Sequence, residues 1–322
     1  MDTLAAYSLI ANYSAIALYV LAFLAFVGDL SARSAAVTAG AEEARALARE
    51  QPAERDVGAR TALLERLARP ASDRGSGWQR LGFALTVLGW LLHLAALVMR
   101  GVAAERVPWA NMYEFALTGT ALAVAVFLGV QLWRDVRFLG AYVTGIASIL
   151  LALATVNFYV AVSPLPPPLQ SIWLVIHVFV ATLATGFFAI GGGLSIAQLL
   201  QARRESGRAA GLRFLQTFPT SDTLDRLASR VIVVGFALWT FTLMAGAIWA
   251  ERAWGRYWGW DTKEVWTFIV WVVFAGYIHA RATKGWRGSR SAWLAIVGFA
   301  AVLFNFTAVN LLFKGLHAYS GL

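Results

Sequence analysis

The sequence predicts an all-α polytopic membrane protein: one membrane domain, a bundle of about eight transmembrane helices with both termini extracytoplasmic. Three observations carry this reading. Hydrophobic residues make up 59% of the 322-residue chain and charged residues 14%, whereas a soluble domain carries about 25% charge. Eight apolar runs reach the length of about 20 residues that crosses the hydrocarbon core. The basic residues alternate between rich and poor connections along the chain.

The runs fall roughly at 5–28, 81–100, 113–133, 138–160, 171–200, 231–250, 262–280 and 291–313. The first is too long for a signal peptide, and Asp2 but no base precedes it, so it reads as a retained helix. Residues 29–80 form a charged, Ala/Glu/Arg-rich cytoplasmic insert, partly helical, with nine arginines from Arg33 to Arg80. Arg134 and Arg137 mark the turn after the third run, and six arginines, Arg203, Arg204 and Arg230 among them, lie in 201–230. Arg281, Lys284, Arg287 and Arg290 occupy the turn after the seventh. The intervening connections are poor: two arginines in 100–112, none in 161–170, three basic residues in 251–263 and only Lys314 after the last run. Base-rich loops stay in the cytoplasm. That places both termini, and the 251–263 loop, outside the plasma membrane.

Composition also excludes functions. The net charge of +9 does not indicate nucleic acid, because the bases are spread through connections rather than gathered into one stripe. Zero cysteines rule out disulfides, thiolate ligands and cysteine nucleophiles. Chemistry must rest on histidine, carboxylate, aromatic and backbone groups.

Topology gives each histidine a depth. His177 in "SIWLVIHVFV" lies about two turns into the fifth run from the outer face, and His317 in "LLFKGLHAYSGL" lies just beyond the outer end of the eighth. His279 in "GYIHAR" sits near the inner end of the seventh run, and His93 in "WLLHLAAL" sits in the second, nearer the outside. At a rise of 1.5 Å per residue the last two differ in depth by roughly 15–20 Å, too far to share a metal. A lone membrane histidine is often a hydrogen-bonded packing residue, a reading that suits His93 best and His177 and His317 least, since those two accompany an aromatic platform at one level.

Beside the outer pair runs "WGRYWGWD", residues 254–261. An interfacial aromatic belt accounts for residues such as Trp249 and Trp266, but not for this concentration of rings. Gly255 and Gly259 remove side chains between rings, so a flat ligand can approach the backbone. Trp254 and Trp258 are four apart and share a face if the stretch is a helical turn. Asp261, with Glu264 three residues on, fits a capping box as well as it fits ligand contact. A flat macrocycle on this surface, its iron held axially by histidine, describes haem.

"WGRYWGWD" resembles the tryptophan-rich WGxxWxWD signature of haem-handling proteins of cytochrome c maturation. "PWANMYEF" (108–115), "HVFVATLATGFFAIGGGLS" from His177, "TKEVWTFIVWVVFAGYIHAR" and "GLHAYS" follow in order, over some 230 residues, and the chain is similar to the CcsA (ResC) family of system II. Thr262 stands where that family commonly has proline, and residues 29–80 lie outside the likeness.

The resemblance implies a cytochrome c synthase subunit. His177 and His317 would be outer axial ligands of haem b, which is a bound substrate in transit, lined by Trp254, Trp258 and Trp260. His279 would ligate haem within the membrane, its opposite ligand coming from a CcsB/ResB-like membrane subunit; the resemblance assigns His93 no ligand. Apocytochrome c would accept the haem, and thioredoxin-like reductants would keep its thiols reduced. The sequence leaves two other readings open: a haem exporter without attachment activity, and a b-type electron-transfer cytochrome.

Overall fold

A computed structural model describes residues 2–50, 76–163, 165, 169–209, 211–283, 285–313 and 315–317. Residues 51–75 of the expected insert, and Lys314, lie outside them. The helices are α1 (Asp2–Glu50), α2 (Gly77–Ala104), α3 (Met112–Gln131), α4 (Gly140–Phe158), α5 (Ile172–Glu205), α6 (Ser221–Trp254), α7 (Thr262–Thr283), α8 (Ser289–Phe306) and the short α9 (Ala308–Leu312). Among the described residues, eight spans are long and apolar enough to cross a membrane, α8 and α9 sharing the last. Among the described residues there is no strand.

Two helices run far beyond their apolar stretches. α1 continues to Glu50, where hydropathy ends near 28, and α6 starts at Ser221, ten residues before its apolar run. Hydropathy marks the stretch that prefers lipid. It does not register a helix that continues through alanine, arginine and glutamate, all strong helix formers. The start of α6 is set by Thr220, whose hydroxyl accepts from the Thr223 amide at 3.4 Å, with Asp222 in the first turn.

α1 packs on α2 and α4, while α5 runs through the centre against α3, α6 and α8. Three consecutive glycines make that centre possible. A Cβ on Gly191 would lie 2.5 Å from Ile232 of α6, on Gly192 2.8 Å from Phe299 of α8, and on Gly193 2.6 Å from Tyr142 of α4. Each neighbour inserts a bulky side chain where α5 has none. Outward, large side chains such as Leu91, Val156 and Val297 stand exposed, as a lipid-facing surface requires.

A buried ion cluster ties each end of the bundle. At the end expected outside, Glu114 is fully buried and accepts from Arg100 Nε at 2.9 Å, Arg106 Nη1 at 2.6 Å and the Ala110 amide at 2.9 Å. The same arginines donate to the carbonyls of Val160 (2.8 Å) and Ser163 (3.3 Å), so two connections are held together. At the opposite end Arg281 makes a two-pronged pair with Asp225 at 2.8 and 2.9 Å, and Ser291 donates to the same carboxylate at 3.0 Å. Removing one partner from such a cluster strands a buried charge and costs about 3–5 kcal/mol.

Candidate functional site

α5, α6, the 255–261 loop and the residues after α9 converge at one end of the bundle. There two adjoining cavities, about 580 and about 720 Å³ of empty space including their mouths, share His177, His317, Trp249, Lys263 and Phe306.

The two histidines are held in the same way. His177 Nδ1 lies 3.0 Å from the Thr242 carbonyl of α6, and His317 Nδ1 lies 2.6 Å from Asp261 Oδ2. A carbonyl and an ionised carboxylate only accept, so each Nδ1 carries the hydrogen and donates it. Each Nε2 is left over, and among the described residues no hydrogen bond uses it. Carboxylate or carbonyl support at the far nitrogen is what orients an imidazole for a metal. The bond from His317 also holds the Asp261 carboxyl below the usual carboxylate range, with the Thr262 and His317 amides adding to it and burial opposing.

Trp249 joins the pair. Its ring lies 5.9 Å from His177, nearly parallel at 15°, and 5.5 Å from His317 at 64°. It is 2% exposed and anchors a small apolar cluster with Leu169 and Leu174, onto which Trp109, Trp173 and Trp254 pack. The sequence suggested a residue of the lipid belt; the structure puts it in contact with both imidazoles. Gly246 was also missed. A Cβ there would sit 2.7 Å from His177 Cε1, so the ring needs a bare backbone beside it.

The loop residues separate. α6 ends at Trp254 because Gly255 takes a left-handed φ of 71° and its amide donates to the Glu251 carbonyl at 2.7 Å. Trp254 and Trp258 therefore do not share a helical face. Trp254 packs edge-on against His317 at 4.8 Å, whereas Trp258 lines the smaller cavity and lies 5.8 Å from Trp260. Trp260 itself is 72% exposed, lines neither cavity, and adopts a φ of 60° that is unusual for a bulky residue. The space beside Gly259 is filled by the Arg256 guanidinium, so the open backbone expected at both glycines exists only at Gly255.

Half of the expected capping box is present. Glu264 Oε2 accepts from the Asp261 amide at 3.0 Å and the Gly259 amide at 2.8 Å, fixing the loop. The Asp261 carboxylate turns instead to His317. Gly315 permits this approach, since a Cβ there would collide with Asp261 Oδ1.

The other histidines differ. His93 is 0% exposed, with Nδ1 3.2 Å from the Tyr19 hydroxyl and Nε2 2.8 Å from the Leu117 carbonyl. His279 lies on an exposed face of α7, two residues before Arg281, and takes no part in the Asp225 cluster. The structure does not bring it near the outer pair. "PWANMYEF" gains a place: Trp109, Asn111, Met112 and Phe115 line the larger cavity, steadied by the Glu114 cluster behind them.

Residues 109–317 match the family described as cytochrome C assembly protein. The CcsA cytochrome c biogenesis protein of Guillardia theta is 36% identical over 263 residues, covering 75% of this chain and 86% of the relative. That of Prochlorococcus marinus is 37% identical over 261 residues, covering 73% and 83%. Among solved structures, the cytochrome c heme lyase CcmF superposes with a TM-score of 0.61 at 16% identity, a likeness of fold. It covers 99% of this chain and 48% of the lyase, so the chain spans about half the lyase's length. The chain belongs to the cytochrome c assembly family and, within it, to the CcsA proteins of cytochrome c biogenesis.

Proposed function

We propose that this chain is the haem-presenting subunit of a system II cytochrome c synthase in the plasma membrane. Haem b binds on the extracytoplasmic face with its iron between Nε2 of His177 and Nε2 of His317. One observation carries the reading: two imidazoles on one cavity, each with Nδ1 bonded to an oxygen and Nε2 free. Among the described residues no group of three or more His, Asp or Glu could enclose a bare ion. A macrocycle supplies the equatorial donors that the protein lacks, and the aromatic walls suit its faces.

Attachment is an addition. Each thiol of an apocytochrome CXXCH segment adds across a haem vinyl group: a sulfur–carbon bond forms, the double bond becomes single, and the thiol hydrogen moves to the other vinyl carbon. No electrons are exchanged, so the thiols must arrive reduced, the task of thioredoxin-like partners. The chain's contribution is orientation and ligation. Trp258 confines the ring, Trp254 backs His317, Asp261 and Thr242 aim the ligands, and the CXXCH histidine displaces one of them when the product leaves. His279, exposed near the other end, is the intramembrane ligand of incoming haem, paired with a histidine of the CcsB/ResB-like subunit. An electron carrier would pair ligands within the bundle, but both nitrogens of His93 are already engaged.

The test is a strain whose cytochrome c depends on this chain. His317→Ala should abolish most of the Soret absorbance of the purified protein and most cytochrome c, with imidazole in the medium restoring both. Undiminished haem and cytochrome c in His317→Ala and His177→Ala alike would refute the proposal.

A further inference from the structure

Lys263, the second residue of α7, lines both cavities. Its ammonium donates to the Asn305 carbonyl at 2.7 Å and to Asn310 Oδ1 at 2.8 Å, and lies 4.5 Å from the centre of the Phe306 ring. Both oxygens are neutral. The nearby acids are engaged elsewhere, Asp261 with His317 and Glu264 Oε2 with two backbone amides. Among the described residues that line the two cavities, Lys263 is the one lysine or arginine.

A cation in this position does little for the fold. The first turn of a helix is the positive end of its dipole and favours acids. Apolar walls withhold the water that would solvate the charge. Such a group is stabilised by an anion, and one N–H of the ammonium remains to donate. The two cavities differ in what else they offer. The smaller is lined by Glu264, whose Oε1 is buried without a partner and would repel an anion. The larger contains no acidic residue; around Lys263 it presents Asn310, Asn111, Met112 and Phe115.

We propose that Lys263 binds a propionate carboxylate of haem, and that the macrocycle enters with its carboxylate edge on the α3 and α9 side of the cavity. This rests on the haem reading above and deepens it: the histidines fix the iron, while Lys263 fixes which edge of the ring faces which wall. A symmetric, uncharged porphyrin would bind without preferred orientation.

The experiment compares iron protoporphyrin IX with its dimethyl ester, titrated into the full chain in lipid nanodiscs and followed by Soret absorbance. A charge-assisted hydrogen bond corresponds to about a 10–100-fold preference. The wild type should bind the acid more tightly than the ester by that ratio. Lys263→Met should bind both equally, at the wild-type affinity for the ester, which shows that its site is folded. Lys263→Arg should keep a preference for the acid. A Lys263→Met protein that retains the wild-type ratio overturns the proposal, as does one that binds neither compound. The underlying reading fails in a different way: the wild type binds neither porphyrin, or His177→Ala and His317→Ala bind both at wild-type strength.

Discussion

His93 and His177 are the same residue on the inward faces of two membrane helices, and their surroundings complete one and leave the other unfinished. His93 donates from Nε2 to the Leu117 carbonyl and accepts at Nδ1 from Tyr19, so the α1–α2–α3 side closes around it with no valence left over. His177 spends one nitrogen on Thr242 and faces a cavity with the other. His93 is the more deeply buried of the two, and the count of satisfied nitrogens separates them further. The contrast extends to the neighbours. Tyr19 meets His93 edge-on at 5.9 Å, whereas the His177 ring packs against the bare backbone of Gly246.

The sharpest way to break this comparison is to truncate both rings. His177→Ala should lower haem affinity by more than the roughly 10–100-fold that loss of a ligand's supporting hydrogen bond costs a metal site. His93→Ala should leave haem content unchanged and instead destabilise the protein by about 1–3 kcal/mol, because Tyr19 loses its buried partner. Soret absorbance and thermal melting read the two effects separately. Haem loss in His93→Ala would erase the distinction.

A smaller effect is expected from Gly246→Ala, which adds a methyl 2.7 Å from His177 Cε1 and must turn the ring. Overpacking costs about 1–3 kcal/mol, and here it falls on ligand geometry: haem affinity should drop about tenfold with little change in melting temperature. Smallest is Asp261→Asn. The amide still accepts from His317 Nδ1 but without charge, so the haem off-rate should rise only a few-fold. An off-rate equal to that of Asp261→Ala would show that this bond does not orient the ring.

Much of the architecture was legible because a bilayer imposes a length and a composition on whatever crosses it. Helix ends were less so, since outside the lipid α1 and α6 obey propensity and capping instead. At the site, "WGRYWGWD" contains Trp258, which lines one cavity with His177 and His317. Distinctions within the loop depended on backbone turns: the left-handed Gly255 ends α6 and sends Trp258 inward and Trp260 outward. Lys263 read as a topology charge, and Trp249 as one more interfacial ring, because neither carries a local signal. Each acquires its meaning from groups distant in sequence, Asn305 and Asn310 for one, His317 for the other.

The three adjacent glycines of α5 have a mechanical meaning for the proposed haem ligand, His177. Ile232, Phe299 and Tyr142 engage one turn of that helix from three sides, like wards in a keyed shaft, so α5 cannot spin without expelling one of them. His177 rides the same rod 14 residues away, about 21 Å along its axis. Its compass bearing is thus set in the middle of the bundle, and the rim inherits an aim it does not have to generate.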